Sequence, residues 1–266
     1  MTNELEQTNK KLANLEQKSL KRNQDKAITL PEWPDSKRGT PNSFLRSALF
    51  TTADCKKERI YLHETILASQ AGISISFTGP QLNQEDLTLW ETLVHLAKEQ
   101  PLGNVCEFTA YEILKTLKLP LGGDGYKRLE QNIIRLAKPT VTIAIGWGKF
   151  AGHLIESVAL DEKTHHYKIE LGKGLIKLYS ETTWIDIDQR LKLRGKSLAQ
   201  YLHGYYSSHK ISYPVKVDTL YKLSDSRIKE LRKFKQNLIA AHEELIKIGY
   251  LESFSIENDL VSIIKK

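Results

Sequence analysis

The sequence predicts an α+β fold of tandem winged-helix domains behind a flexible N-terminal extension. Three observations carry this: a helix, helix, hairpin succession that occurs twice, a late helix divided into an apolar and a basic face, and a polar leading segment that lacks core-forming residues. The elements divide the chain into an extension and linker over residues 1–42, a first domain over 43–172 and a second over 173–266.

Residues 1–29 are rich in Asn, Gln, Glu and Lys, and Leu5, Leu12 and Leu15 stand at heptad-like spacing. A short helix or a marginal coiled coil fits them, but three leucines are too few to assert one. Pro31, Pro34 and Gly39 make a linker around Trp33, whose ring has no local core and is expected to be buried as an anchor.

Strands are expected over residues 65–69 and 73–78. A helix over 87–99 follows, with Leu89, Trp90, Leu93, Val94, Leu96 and Ala97 at helical spacing and Pro101-Leu102-Gly103 as its terminator. A short helix over 109–117 and a turn at 122–125 precede a longer helix over 126–138. Its core side is Leu129, Ile133 and Leu136, and Lys127, Gln131, Arg135 and Lys138 point outward. Residues 140–147 and 153–160 alternate like paired strands around Gly146, Gly148 and Gly152, and 167–171 supplies a third strand.

The second domain repeats the order. A helix over 196–208 is broken at Tyr213-Pro214, a short helix covers 217–223, and Ser224-Asp225 supplies turn and cap chemistry. The long helix then opens, with Ile228, Leu231, Phe234, Leu238, Ala241 and Leu245 on one face and Ser226, Lys229, Arg232, Lys233 and Gln236 on the other. Gly249 ends it, and residues 250–256 and 260–264 alternate around Glu257-Asn258-Asp259 as a hairpin. In helix-turn-helix modules the second helix enters the major groove of DNA. Ser226, Arg227, Lys229, Arg232, Lys233 and Gln236 are therefore the expected DNA contacts, with the long cations mainly on phosphate and Arg or Gln on guanine or adenine edges.

The balance of 39 Lys plus Arg against 32 Asp plus Glu gives a formal charge of +7. That total is permissive for a polyanion partner, and its concentration on one helical face is the evidence. No apolar run of about 18 residues and no signal-peptide core occurs, so a cytoplasmic protein is expected. Two cysteines, Cys55 and Cys106, make neither a disulfide scaffold nor a zinc site.

Catalytic patterns are absent from the sequence. Gly195-Lys196-Ser197 ends like a phosphate-binding loop, but the position that needs its first glycine is Arg190. His165-His166 suits a solvated hairpin turn, with no cysteine or third histidine nearby for a metal. His203 and His209 flank a helix end, where they either contact phosphate or cap. The glycines of residues 122–125 follow no Rossmann strand and read as a turn. There is no nucleophile with a base and no pair of carboxylates for nuclease metals, so neither enzyme nor cofactor is expected.

A series of short blocks carries a family resemblance. Trp33-Pro34-Asp35, Arg46-Ser47-Ala48-Leu49-Phe50-Thr51-Thr52, Phe77-Thr78-Gly79, Phe108-Thr109, Arg135-Leu136, His153-Leu154-Ile155-Glu156-Ser157-Val158, Tyr205-Tyr206-Ser207-Ser208-His209, Tyr213-Pro214, Glu243-Glu244-Leu245 and Asn258-Asp259-Leu260-Val261 occur in order over residues 31–266. Together they resemble TrfA-type plasmid replication initiators. The resemblance implies two winged helices, binding of direct repeats (iterons) in double-stranded origin DNA and opening of an adjacent AT-rich region. It also implies recruitment of host DnaA, the replicative helicase and the polymerase sliding clamp. Main base contacts would come from the C-terminal winged helix, with backbone contacts and monomer to dimer self-association from the first domain. Members carry a Gln-Leu-x-Leu-Phe clamp-binding peptide, of which Gln24-Asp25-Lys26-Ala27-Ile28 keeps only the glutamine.

Two other classes compete with an origin-binding initiator. A winged-helix transcriptional regulator would bind a single or palindromic operator without melting it. A DNA-nicking protein needs a catalytic tyrosine with a histidine metal cluster, and no His-x-His accompanies the tyrosines.

Overall fold

The computed structural model describes residues 30–53, 59–99, 104–146 and 148–266. The leading leucines, the peptide 24–28, Cys55 and the terminator 101–103 lie outside the described residues.

The C-terminal winged helix is built from α6 (Ser197–Ser207), β12 (Val215–Lys216), α7 (Val217–Leu223), α8 (Leu231–Lys247), β13 (Leu251–Glu257) and β14 (Leu260–Lys265). Strand β14 runs antiparallel between β12 and β13. The apolar faces of the three helices meet over this sheet, with Leu202, Val217, Leu220, Phe234, Leu238 and Leu245 fully buried. Gly249, at φ 77, turns the chain out of α8 while the Tyr250 amide donates to the Leu245 carbonyl at 3.0 Å. The wing turns at Asn258 and Asp259, both left-handed (φ 48 and 63), which a two-residue hairpin loop demands and these residue types tolerate.

The first winged helix has the same plan: α2 (Gln84–Lys98), β6 (Val105–Thr109), α3 (Ala110–Thr116), α4 (Gly123–Ala137), β9 (Ile155–Asp161) and β10 (His166–Leu171). Its sheet order, β6-β10-β9, is that of β12-β14-β13. Capping boxes start α2 at Asn83 with Asp86 and α3 at Thr109 with Glu112.

Between α4 and the wing, β7 (Thr140–Ile145) and β8 (Gly148–His153) pair with each other. They leave the domain sheet to join β3 (Tyr61–Leu67) and β4 (Ser74–Pro80) in a four-stranded sheet, β3-β4-β7-β8. The sequence-based pairing of 140–147 with 153–160 is thus corrected: the first strand ends in the short hairpin, and 155–161 pairs with β10 as the wing. Alternation marks a strand without naming its partner. Here the fully buried Leu154 separates the two pairings.

Remaining elements tie these parts together. Strand β1 (Lys37–Pro41) pairs with β11 (Thr182–Asp186), so part of the stretch read as a linker is a strand. Helix α1 (Asn42–Leu45) follows, then β2 (Phe50–Thr51), which runs parallel to β5 (Leu82–Asn83). A 3-10 helix at Lys173–Ser180 and α5 (Ile187–Lys192) lead into the second winged helix. Trp33 is buried as expected, stacked on Tyr179 with ring centroids 6.2 Å apart, and its Nε1–H donates to His95 Nδ1 at 2.9 Å. Gly39 lies so close that a Cβ there would stand 2.6 Å from the Trp33 ring. Fully buried Arg190 on α5 bonds to both domains' first helices, to Thr88 Oγ1 and the Gln84 carbonyl of α2 and to the Gln200 carbonyl of α6. The same guanidinium pairs with Glu91 at 3.0 Å.

Candidate nucleic-acid interface

The helix expected to open near Ser226 begins at Leu231, and Ser226, Arg227 and Lys229 lie on the turn before it. Tertiary hydrogen bonds decide this boundary. Asp225 is left-handed at φ 47. The Ser224 carbonyl accepts from the Thr52 amide at 3.0 Å, and the Asp225 carbonyl accepts from Thr51 Oγ1 at 3.1 Å. Tyr221 closes the turn by donating its hydroxyl to the Ile228 carbonyl at 2.9 Å. These partners hold residues 224–228 in a turn, and the helical ladder opens only after it. Leu231, assigned to the core face, is correspondingly 39% exposed, and the buried stripe starts at Phe234.

Gln81 joins this turn to the first half of the chain, donating to the Asp225 carboxylate and accepting from Arg227. Burial pushes the Asp225 carboxyl above its ordinary range, opposed by Thr51, Arg227 and Gln81. Lys229, Arg232, Lys233 and Gln236 are exposed, and the three cations have no ion pair among the described residues. Lys235 is held by Asp259 of the wing. The open end of the winged helix therefore presents an unneutralised cationic surface beside an amide side chain. Such a surface attracts phosphate and can hydrogen-bond a base edge.

On α4, Lys127 and Gln131 are exposed, and so is Lys138 just past its end. Arg135 turns inward to Asp86, with Nη2 at 2.8 Å and Nε at 3.0 Å from Oδ1, and it also bonds Asn132. The fully buried Asp86 carboxylate receives Arg59 on its other oxygen at 2.9 Å. Arg135 is thus spent on an internal partner, and exposed Arg227 gives one of its donors to Gln81, neither of which helical phase revealed.

His203 and His209 make internal contacts. His203 is buried, with Nε2 3.1 Å from Gln189 Oε1, and burial lowers its pKa to about 3. His209 Nδ1 lies 2.8 Å from the Tyr205 carbonyl, and His165 ends the solvated turn before β10. Asp35, His95 and Glu99 bring three ligand atoms together among the described residues. Trp33 donates to His95 Nδ1, so the proton of the neutral ring sits on Nε2 and faces Glu99 at 3.2 Å. That nitrogen offers no lone pair to a metal. Gly195-Lys196-Ser197 is a bend into α6, with Gly195 at φ 78. No helix among the described residues is long and apolar enough to cross a membrane.

Two winged helices of identical strand order, the second ending in an unneutralised basic face, define a tandem winged-helix protein. Helices α7 and α8 form the helix-turn-helix of its second unit. The chain belongs to the TrfA protein family, whose model matches residues 3–265, further upstream than the recognised motifs reached. It is similar to the plasmid replication initiator protein TrfA of Escherichia coli, 29% identical over 241 residues. That match covers 86% of this chain and 62% of the relative, so the chain spans less than two thirds of that protein's length. A solved structure of domains 2 and 3 of RctB superposes with a TM-score of 0.59 at 15% identity, covering 85% of this chain and 98% of that one. A second RctB domain 2–3 structure gives 0.54 at 15% identity, covering 82% and 95%. These two likenesses are of fold.

Proposed function

We propose that this chain initiates plasmid replication by binding direct repeats at the plasmid origin, promoting opening of an adjacent AT-rich region and recruiting host replication proteins. The observation that carries the proposal is the exposed stripe of Arg232, Lys233 and Gln236 on α8, in a chain of the TrfA family. The name of the Escherichia coli relative points the same way.

In this reading residues 173–266 recognise the repeat through Ser226, Arg227, Lys229, Arg232, Lys233 and Gln236. Residues 43–172 add DNA contacts through Lys127, Gln131, Arg135 and Lys138, and also the surface for self-association. Arg135 joins the DNA by exchanging its partner Asp86 for phosphate, whereas exposed Arg227 keeps free donors beside its bond to Gln81. The mechanism is recognition, deformation and recruitment in a bacterial cytoplasm, without covalent chemistry or cofactor. The partners are double-stranded repeats, single-stranded AT-rich DNA, DnaA and the replicative helicase. Sliding-clamp binding must dispense with the Leu and Phe that residues 24–28 lack.

Footprinting on the origin of the encoding replicon, at stated salt, tests the reading. Protection at regularly spaced direct repeats is expected. A single palindromic footprint at a promoter would instead make the chain a transcriptional regulator.

A further inference from the structure

The helices α4 and α8 occupy the same place in two domains of identical strand order, and their sequences carry the same pattern. Residues 127–134 read Lys-Arg-Leu-Glu-Gln-Asn-Ile-Ile and residues 232–239 read Arg-Lys-Phe-Lys-Gln-Asn-Leu-Ile. The structure fixes this alignment independently of residue identity. Leu129 and Ile133 are buried in one helix as Phe234 and Leu238 are in the other, at the same offsets. With the core sides superposed, the outward sides match: Lys127 with Arg232, Gln131 with Gln236, Ile134 with Ile239.

The isoleucines are the unexpected members of this pattern. Ile134 is 39% exposed and Ile239 41%, although each stands beside a fully buried residue of its own helix. At about 100° per residue, each lies within about 60° of the cation and the glutamine that precede it, on one stripe about 10 Å long. In the major groove, glutamine pairs with the N6 and N7 edge of adenine, and the apolar feature of a base pair is the thymine 5-methyl. A β-branched side chain in a helix is held in one rotamer, so it meets such a methyl with little loss of freedom. On α8 the stripe ends one turn later at acidic Glu243, which phosphate repels.

We propose that Gln131 with Ile134 and Gln236 with Ile239 are two copies of one base-reading unit, each taking an adenine edge and a thymine methyl. Each direct repeat then contains two related sub-sites, and the first winged helix reads bases as well as phosphates. This inference rests on the initiator reading above.

The test measures binding to a duplex carrying one footprinted repeat, with each thymine replaced in turn by deoxyuridine, which lacks only the methyl. Wild-type protein should lose about fourfold in affinity at thymines in two separate places, the effect of one methyl removed from an apolar contact. Ile134→Ala should abolish the sensitivity at one place and Ile239→Ala at the other, and Ile→Val variants should retain both. Both positions are exposed, and unchanged thermal melting of the variants shows that the fold is intact. Sensitivity at a single place that depends on Ile239 alone, or sensitivity that neither alanine variant alters, overturns the proposal. If wild-type protein binds the repeat and Arg232→Ala weakens that binding while deoxyuridine has no effect anywhere, the initiator reading stands and this inference fails. If wild-type protein does not bind the repeat, both fail.

Discussion

Replacing Arg190 by Met tests the joint between the two winged helices. The Arg190 guanidinium is wholly buried and lies 3.0 Å from the equally buried Glu91 carboxylate. It also donates to Thr88 Oγ1 at 2.9 Å, to the Gln84 carbonyl and Oε1 at 3.1 Å, and reaches the Gln200 carbonyl at 3.4 Å. Glu91 also accepts from Thr40 Oγ1 at 2.7 Å, and the buried Arg38 guanidinium acts on it as a further, weaker charge. Burial already pushes the Glu91 carboxyl above its ordinary range, opposed first by Arg190. Removing the cation leaves the buried carboxylate with only the weaker Arg38 charge, at a cost of about 3 kcal/mol, the low end for breaking a buried pair. With a urea m-value of about 3 kcal/mol/M, the unfolding midpoint should fall by about 1 M. Removing both charges, as Arg190→Met with Glu91→Leu, should recover most of that loss, because the desolvation cost of the pair disappears with it. Urea unfolding followed by circular dichroism reads both variants. A single variant within about 0.5 kcal/mol of wild type, or a double variant no better than the single, would refute the assignment of Arg190 as charge partner.

Further outcomes follow from the interface and the core. Lys229→Ala should weaken binding to all DNA sequences and lower the salt slope by about one, whereas Arg232→Ala or Gln236→Ala should cost about 1 to 3 kcal/mol and relax base preference. Equal losses on specific and random duplexes for all three would remove α8 from its recognition role. His242 sits in the core with Nε2 2.8 Å from the Tyr206 hydroxyl, and burial lowers its pKa from 6.5 to about 4. Between those values the unfolded chain holds the extra proton. This ring should therefore contribute a loss of about 3 kcal/mol as pH drops from 6.5 to about 4, beside losses of the same sign from His95 and His203. His242→Gln should remove this ring's share of the slope in urea titrations across that window, and an unchanged slope counts against the neutral buried ring. Leu238→Asp places a charge at a fully buried site and should unfold the C-terminal winged helix; a folded, DNA-binding variant on circular dichroism and anisotropy would contradict the helix phase.

Residue spacing by itself determined the order of helices in the two winged helices, the C-terminal hairpin, the buried faces of α4 and, from Phe234 onward, of α8, and the outward positions of Lys127, Gln131, Arg232, Lys233 and Gln236. These follow from helical and strand periodicity, which is local. Residues 217–223 appear in the structure with the predicted bounds, because turn signals and apolar spacing there agree. Tertiary structure alone decided where α8 starts, since Thr51 and Thr52 claim the carbonyls of Ser224 and Asp225 from far along the chain. It also decided that Arg135 turns inward to Asp86 and that Arg227 bonds Gln81, because those partners come within reach only after folding. The pairing of β7 with β8, and of β1 with β11, was equally beyond the sequence. Alternation specifies which side of a strand is apolar, but the neighbouring strand is selected by which buried surfaces the whole chain brings together.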